Sequence, residues 1–245
     1  MSRNRVVLVT GSATGIGRSA AWLFAERGYA VAVNFSKSKA EAEETADGVR
    51  SRGAIVRLQK ADVGDDSAVK ALVAATVEEF GGLDVLVNNA GMTHFVSHND
   101  LDGLTELVWD EILQVNLKGT FYGCRAAMPH LKSRNGNIVN VASVAGIAGS
   151  GSSIAYAASK GAVITLTKSL AKTFAPEVRV NAVAPGPVQT RWLADHQDMV
   201  NSAVAITPMK RPATPEDIAE AIVYLADVAT LTTGQILVLD GGRTI

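Results

Sequence analysis

The chain has one cysteine in 245 residues, Cys124, so no internal disulfide can brace it. Its net charge is −1, which leaves no basic footprint for nucleic acid. No apolar run approaches the ~18 residues that a membrane helix needs. Met1-Ser2-Arg3-Asn4-Arg5 leads into too short an apolar run before Thr10 and Gly11 to be a secretory signal. Together these absences point to the reducing cytoplasm. Cys124 has no His–Asp arrangement beside it and is not a nucleophile candidate. His94 and His98 are four apart but lack a third ligand, and a zinc site needs three or four, so no metal is expected.

What the chain does have is alternation. Short apolar, β-branched runs recur at Arg5–Val9, Tyr29–Phe35, Ala54–Leu58, Leu83–Val87, Asn137–Val141, Arg179–Val183 and Gln235–Leu239. Between them lie helix-like stretches: one ending near Arg27, then Lys39–Arg50, Asp65–Phe80, Leu104–Leu131 (interrupted late by Pro129), Ile154–Phe174 and Pro215–Ala226. Strands alternating with helices predict an α/β chain built as a doubly wound parallel sheet of about seven strands, helices on both faces. The near-continuous apolar strands fit a sheet covered on both sides. No repeat or linker divides residues 1–245, so a single domain is expected. One excursion, about 186–210, breaks the rhythm. Its Trp192, Leu193, Met199, Val200, Val204 and Ile206 fit a lid over an apolar substrate and a packed surface excursion equally well.

Three stretches carry chemistry. Thr10-Gly11-Ser12-Ala13-Thr14-Gly15-Ile16-Gly17 follows the first strand and opens the first helix. Glycines there let backbone approach a pyrophosphate, and the helix start favours anions. The second strand ends in Asn34-Phe35-Ser36-Lys37-Ser38, without the carboxylate that would bind the ribose hydroxyls of NAD(H). Hydroxyls and a lysine suit a phosphate, so NADP(H) is favoured, with NAD(H) the alternative. Tyr156 and Lys160 are four apart on a helical run and so share a face. A cation beside a phenol lowers its pKa from about 10 and makes it a usable acid. Alone, that pair reads first as packing beside a solvated tip, and only the rest of the chain favours chemistry.

Thr10–Gly17, Asn88-Asn89-Ala90-Gly91, Ser143 with Tyr156-x-x-x-Lys160, and Pro185-Gly186 stand in order along the whole chain. In this it resembles the classical short-chain dehydrogenase/reductase family, whose members fold as one Rossmann-type domain. The resemblance implies hydride transfer between a nicotinamide cofactor and a carbonyl/alcohol pair. Tyr156 would move the proton, Ser143 steady the carbonyl oxygen, Lys160 hold the nicotinamide ribose and depress the Tyr156 pKa, and Asn116 support a water-linked relay to Lys160. Cofactor contacts would come from Gly11, Ser12, Thr14, Gly15, Ile16, Gly17, Asn34, Phe35, Ser36, Lys37 and Ser38. Asp62 and Val63 would meet adenine. Asn89, Ala90, Gly91, Pro185, Gly186, Val188 and Thr190 would complete the path, with Tyr156 and Lys160. Within the family the chain looks most like 3-oxoacyl-(acyl-carrier-protein) reductases. Met128 stands where those place a docking arginine, although Lys172 matches a second basic position, and Met92–Glu106 is long enough to reshape the entrance. Broader reductases of ketones, sugars and alcohols share the skeleton, and a non-catalytic NADP-binding sensor would usually lack the Tyr–Lys pair. The family also implies a homotetramer. Small residues on Ile154–Phe174 (Ala155, Ala157, Ala158, Gly161, Ala162) would admit another helix closely.

Overall fold

The computed structural model describes residues 5–245; the reading of Met1–Asn4 lies outside them. Strands β1 (Val6–Val9), β2 (Ala30–Phe35), β3 (Val56–Lys60), β4 (Val85–Asn88), β5 (Asn137–Val141), β6 (Arg179–Pro185) and β7 (Ile236–Leu239) form one sheet. Their order is β3-β2-β1-β4-β5-β6-β7, and every neighbouring pair is parallel. This is the doubly wound architecture that the alternation predicts.

Parallel pairs need crossovers, and helices supply them. They are α1 (Gly15–Glu26), α2 (Lys39–Ser51), α3 (Asp66–Phe80), α4 (Glu106–Leu113), α5 (Thr120–Lys132), α6 (Ala145–Ala148), α7 (Ile154–Phe174), α8 (Gln197–Ile206) and α9 (Pro215–Val223). The pleat sends alternate side chains to opposite faces. Val7 and Val9 of β1 join Phe24 of α1 and Ile218 and Ile222 of α9 on one side. Val6 and Leu8 join Leu72 of α3 and Leu131 of α5 on the other. β1, β2, β4 and β5 are buried throughout, whereas the outer strand β7 exposes Leu237 and Val238.

Local chemistry explains the helix ends. The Asp65 carboxylate caps α3 by accepting from the amides of Ser67 (2.8 Å) and Ala68 (3.3 Å), and Gly81 closes it in the left-handed region. Thr214 and Asp217 form a reciprocal capping box at the start of α9, with Pro215 in its first turn. Ser153 caps α7, its Oγ accepting from the Tyr156 amide at 3.2 Å. That cap fixes where the helix carrying Tyr156 and Lys160 begins.

Four features differ from the sequence reading. Leu104–Leu131 is not one helix: α4 passes through a π turn, Gln114–Gly119, into α5. Pro129 does not interrupt α5, which runs on to Lys132; its missing donor affects only the carbonyl one turn earlier, at the exposed Arg125. The excursion contains a helix of its own, α8, after a short 3₁₀ turn at Arg191–Leu193. Finally, Gly161 of α7 does receive a close neighbour, but within the chain. It packs against Gly146 of α6, where a Cβ would stand 2.4 Å from the Gly161 nitrogen.

Candidate functional site

The strand order reverses between β1 and β4, and at such a switch point the loops at the carboxyl ends of the strands open a crevice. Here that crevice is a cleft of about 1400 Å³. Its floor comes from the loops that follow β1, β2, β4, β5 and β6, and its outer wall from the 186–210 segment.

The glycine-rich loop is built around backbone that only glycine adopts readily. Gly11 and Gly15 have φ of 61° and 57°. A Cβ on Gly11 would meet the Ala90 Cα at 2.8 Å, and one on Gly17 the Asn89 Nδ2 at 2.5 Å. The loop is therefore locked to the turn after β4. The Thr10 hydroxyl accepts from the amides of Asn89 (3.0 Å) and Ala90 (3.1 Å), and Asn89 Nδ2 donates to the carbonyls of Thr10 and Gly11. The first turn of α1 has neither a side-chain cap nor an acidic residue, which leaves its positive end to an anion.

Most of the residues expected to meet a cofactor line the cleft: Gly11, Thr14, Gly15, Ile16, Asn34–Ser38, Asp62, Val63, Asn89, Ala90, Gly91, Ser143, Tyr156, Lys160, Pro185, Gly186, Val188 and Thr190. Ser12, Gly17 and Asn116 lie behind its wall. Ser12 Oγ donates to the Val9 carbonyl at 2.8 Å and accepts from the Asn34 amide at 3.0 Å. Asn34, although at the cleft, uses its side chain on protein. Its Oδ1 accepts from the Gly11 amide at 3.0 Å and its Nδ2 donates to the Ala61 carbonyl at 3.1 Å. The residues present fit a dinucleotide: a long cleft, a glycine cradle too tight for side chains, and a β2 end bearing Ser36, Lys37 and Ser38 without a carboxylate.

At the other end Ser143, Tyr156 and Lys160 share one wall. Ser143 Oγ accepts from the Ala145 amide at 3.1 Å. Lys160 is buried, and its Nζ donates to the Val141 carbonyl at 2.8 Å and lies 5.8 Å from the Tyr156 ring centroid. Asn116 sits in the π turn behind Gly91. Its Oδ1 accepts from the Met92 amide at 2.8 Å, while Nδ2 donates to the Met92 carbonyl and to Ser159 Oγ. A Cβ on Gly91 would come 3.3 Å from Asn116 Oδ1, a tight approach, and 3.6 Å from Lys160 Nζ, so the turn passes close to both groups.

The electrostatics differ from the sequence expectation. Burial pushes the Tyr156 phenol up to about 12, against a smaller lowering by Ser143. Burial likewise brings the Lys160 ammonium down to about 8. The phenol is not brought below its ordinary range, because desolvation acts on both groups and is the largest cause for each. The phenol thus keeps its proton through neutral pH, and the amine holds its own loosely.

A pH effect follows. Lys160 binds its proton less tightly in the folded chain than in the unfolded one, so its contribution to stability rises as pH climbs from about 8 towards 10.5. Tyr156 and Cys124, both pushed up to about 12, act in the opposite sense at higher pH. The difference between wild type and Lys160→Met isolates the lysine. Wild type should gain roughly 2–3 kcal/mol relative to the variant between pH 7 and pH 10. Denaturant unfolding at each pH reads this, and a flat difference would refute the desolvated amine.

Sequence reasoning placed Trp192 in a lid or surface excursion but missed the contacts that this segment makes. The Trp192 ring lies 6.1 Å from that of Tyr156, and His196 stacks on Phe95 at 3.6 Å, joining the 186–210 segment to the loop after β4. His94 pairs with Glu111 at 2.7 Å, and among the described residues no group of three or more His, Cys, Asp or Glu could hold a metal. Asn140, unremarked in its strand, accepts from Asn88 at 2.9 Å and donates to Thr167 at 2.9 Å. It ties β4, β5 and α7 together beneath the site. A polar residue in the middle of an apolar strand was the only signal available.

Residues 11–244 match the family described as enoyl-(acyl carrier protein) reductase. The chain is 46% identical over 97% of its length to a Streptomyces violaceoruber protein named as a ketoacyl reductase of the granaticin polyketide synthase, covering 95% of it. It is 40% identical to the 3-oxoacyl-(acyl-carrier-protein) reductase of Staphylococcus aureus, over 99% of both chains. A crystal structure of a Burkholderia xenovorans protein of the short-chain dehydrogenase/reductase type superposes with a TM-score of 0.93 at 37% identity, over 99% of both chains. On this full-length similarity and this fold, the chain belongs to the classical short-chain dehydrogenase/reductase family and is an oxidoreductase that acts on CH–OH/C=O groups with a nicotinamide cofactor.

Proposed function

We propose that this protein reduces the keto group of a 3-oxoacyl thioester, with NADPH as its cofactor and Tyr156 as proton donor. The observation that carries the reading is the meeting of Ser143, Tyr156 and Lys160 on one wall of the cleft, beyond a β2 end that bears Lys37 and no carboxylate. The bound cofactor supplies the hydride. Tyr156, protonated at neutral pH, gives its proton to the carbonyl oxygen, and the Ser143 hydroxyl steadies that oxygen as charge develops. Lys160, anchored on Val141, holds the nicotinamide ribose and returns a proton to the phenol. Asn116 acts from behind, fixing Met92 and Ser159 around the lysine. The 186–210 segment serves as a lid, with Trp192 facing Tyr156 across the substrate space.

The names of the two relatives support the thioester. One observation favours a broader ketone or alcohol substrate: Met128 is buried on α5 and offers no charge for carrier docking, whereas Lys172 is exposed. Following oxidation of NADPH and NADH against acetoacetyl thioesters and a panel of ketones, diketones and sugars separates the two. Fast turnover of the thioester with NADPH is the expected result. Turnover of the other carbonyls alone would move the substrate to that second class.

The outward Leu237 and Val238 of β7, with Leu107 on α4 and Phe121 on α5, leave apolar surface uncovered. We assign these faces to contacts between copies in a homotetramer. Light scattering should give about four times the chain mass, and a monomer mass would refute the assembly.

A further inference from the structure

Arg191 does not point towards the substrate end of the cleft. Its Nη1 donates to Glu41 Oε1 at 2.8 Å and its Nη2 to Ser38 Oγ at 2.7 Å. Both partners belong to the start of α2, at the end of the cleft lined by Ser36 and Lys37. The residue before it, Thr190, rests on the glycine-rich loop, where a Cβ on Gly15 would meet Thr190 Cγ2 at 3.1 Å. The residue after it, Trp192, faces Tyr156. Two consecutive residues of one short turn therefore reach the two ends of the cleft.

We propose that Arg191 is a specificity-determining residue, the second cation beside Lys37 for the 2′-phosphate of NADP(H). The proposal rests on the NADPH reading given above. A phosphate monoester carries close to two negative charges and three strong acceptor oxygens, more than one lysine can satisfy. A guanidinium offers five N–H donors in a planar fork suited to phosphate, and Glu41 and Ser38 engage only two of them. The ion pair with Glu41 is exposed on both sides, and such pairs are weak in water, so it yields to a phosphate dianion. Arg18, the cation that follows the glycine-rich loop, is committed to protein groups. Its guanidinium donates to the carbonyls of Ala13 and Glu41, to Thr45 Oγ1 and to Glu44. Because Arg191 and Trp192 share a turn, a 2′-phosphate held by Arg191 also fastens the segment that covers Tyr156. The adenosine end of the cofactor is thereby linked to closure over the substrate.

Calorimetric titration of 2′,5′-ADP and of 5′-AMP tests this without turnover. The proteins needed are wild type, Arg191→Ala and Lys37→Ala, each checked for an unchanged melting temperature. Arg191→Ala should weaken 2′,5′-ADP by about tenfold, in line with the loss of charge-assisted hydrogen bonds, and leave 5′-AMP within about twofold. An equal loss for both ligands, or none for either, would overturn the role. If wild type binds the two equally, the NADPH reading falls and takes this proposal with it. If wild type prefers 2′,5′-ADP, and Lys37→Ala but not Arg191→Ala removes the preference, the assignment of Arg191 alone is wrong.

Discussion

Tyr156→Phe is expected to lower kcat by about 10²–10⁴-fold, the range of a positioned general acid, while the fold and cofactor affinity stay as they are. The substitution removes one oxygen and no packing. The ring remains wedged near Trp192, and the Ser153 cap still fixes the helix start because it binds the Tyr156 amide. Lys160 keeps its bond to Val141, so the site loses a proton source but not its shape. Steady-state oxidation of NADPH, paired with cofactor titration by fluorescence, separates the two quantities. Turnover within a fewfold of wild type in a folded variant would mean that the proton comes from elsewhere.

Gly146→Ala should damage both stability and turnover, although residue 146 touches no substrate. A Cβ there would stand 2.4 Å from the Gly161 nitrogen and 2.5 Å from the Lys160 carbonyl carbon. Both are backbone atoms of a long helix and cannot yield as a flexible side chain would. α6 must move away instead, and Ser143, whose hydroxyl is tied to the amide of Ala145 in that helix, moves with it. The expected cost is about 1–3 kcal/mol in stability, typical of overpacking. The Ser143–Tyr156 spacing should widen enough to reduce kcat by about tenfold or more, since small misplacements near reacting groups are expensive. The adenosine half of the cleft lies far from α6, so affinity for 2′,5′-ADP should not change. A melting temperature and a kcat both equal to wild type would show that the two helices have slack.

The central strands β1, β2 and β4 could be read from the residues because each is largely apolar on both faces, and burial between two helical layers leaves that mark. The landmark residues of the site were legible for a different reason. Each sits at a strand end or on a capped helix, and it was their shared order along the chain, resembling that of a known family, that made them legible. What could not be read depends on contacts distant in sequence. Asn34 has the composition of a cofactor contact, yet its amide is spent on Gly11 and Ala61. The π turn at Asn116 adds one residue to a helical turn and scarcely disturbs the apolar period, so Leu104–Leu131 looked continuous. The pairing of Tyr156 with Lys160 was visible, but the sign of the phenol shift was not, because it depends on how much water reaches the two groups. Arg191 had no local signal at all, since its partners lie some 150 residues earlier.

The bonds from Asn89 and Ala90 to Thr10 and Gly11 also bear on how the protein comes to exist on the ribosome. The glycine-rich loop is synthesised well before the residues that lock it, which lie almost eighty positions later. At about 5–20 residues per second, the loop waits roughly 4–16 seconds before its brace has even been made. During that interval β1 also lacks its β4 neighbour, and its row of backbone donors and acceptors on that side is open. A nascent chain stalled before Asn89 should therefore bind no dinucleotide, and cofactor affinity should appear only once the turn after β4 has cleared the exit tunnel.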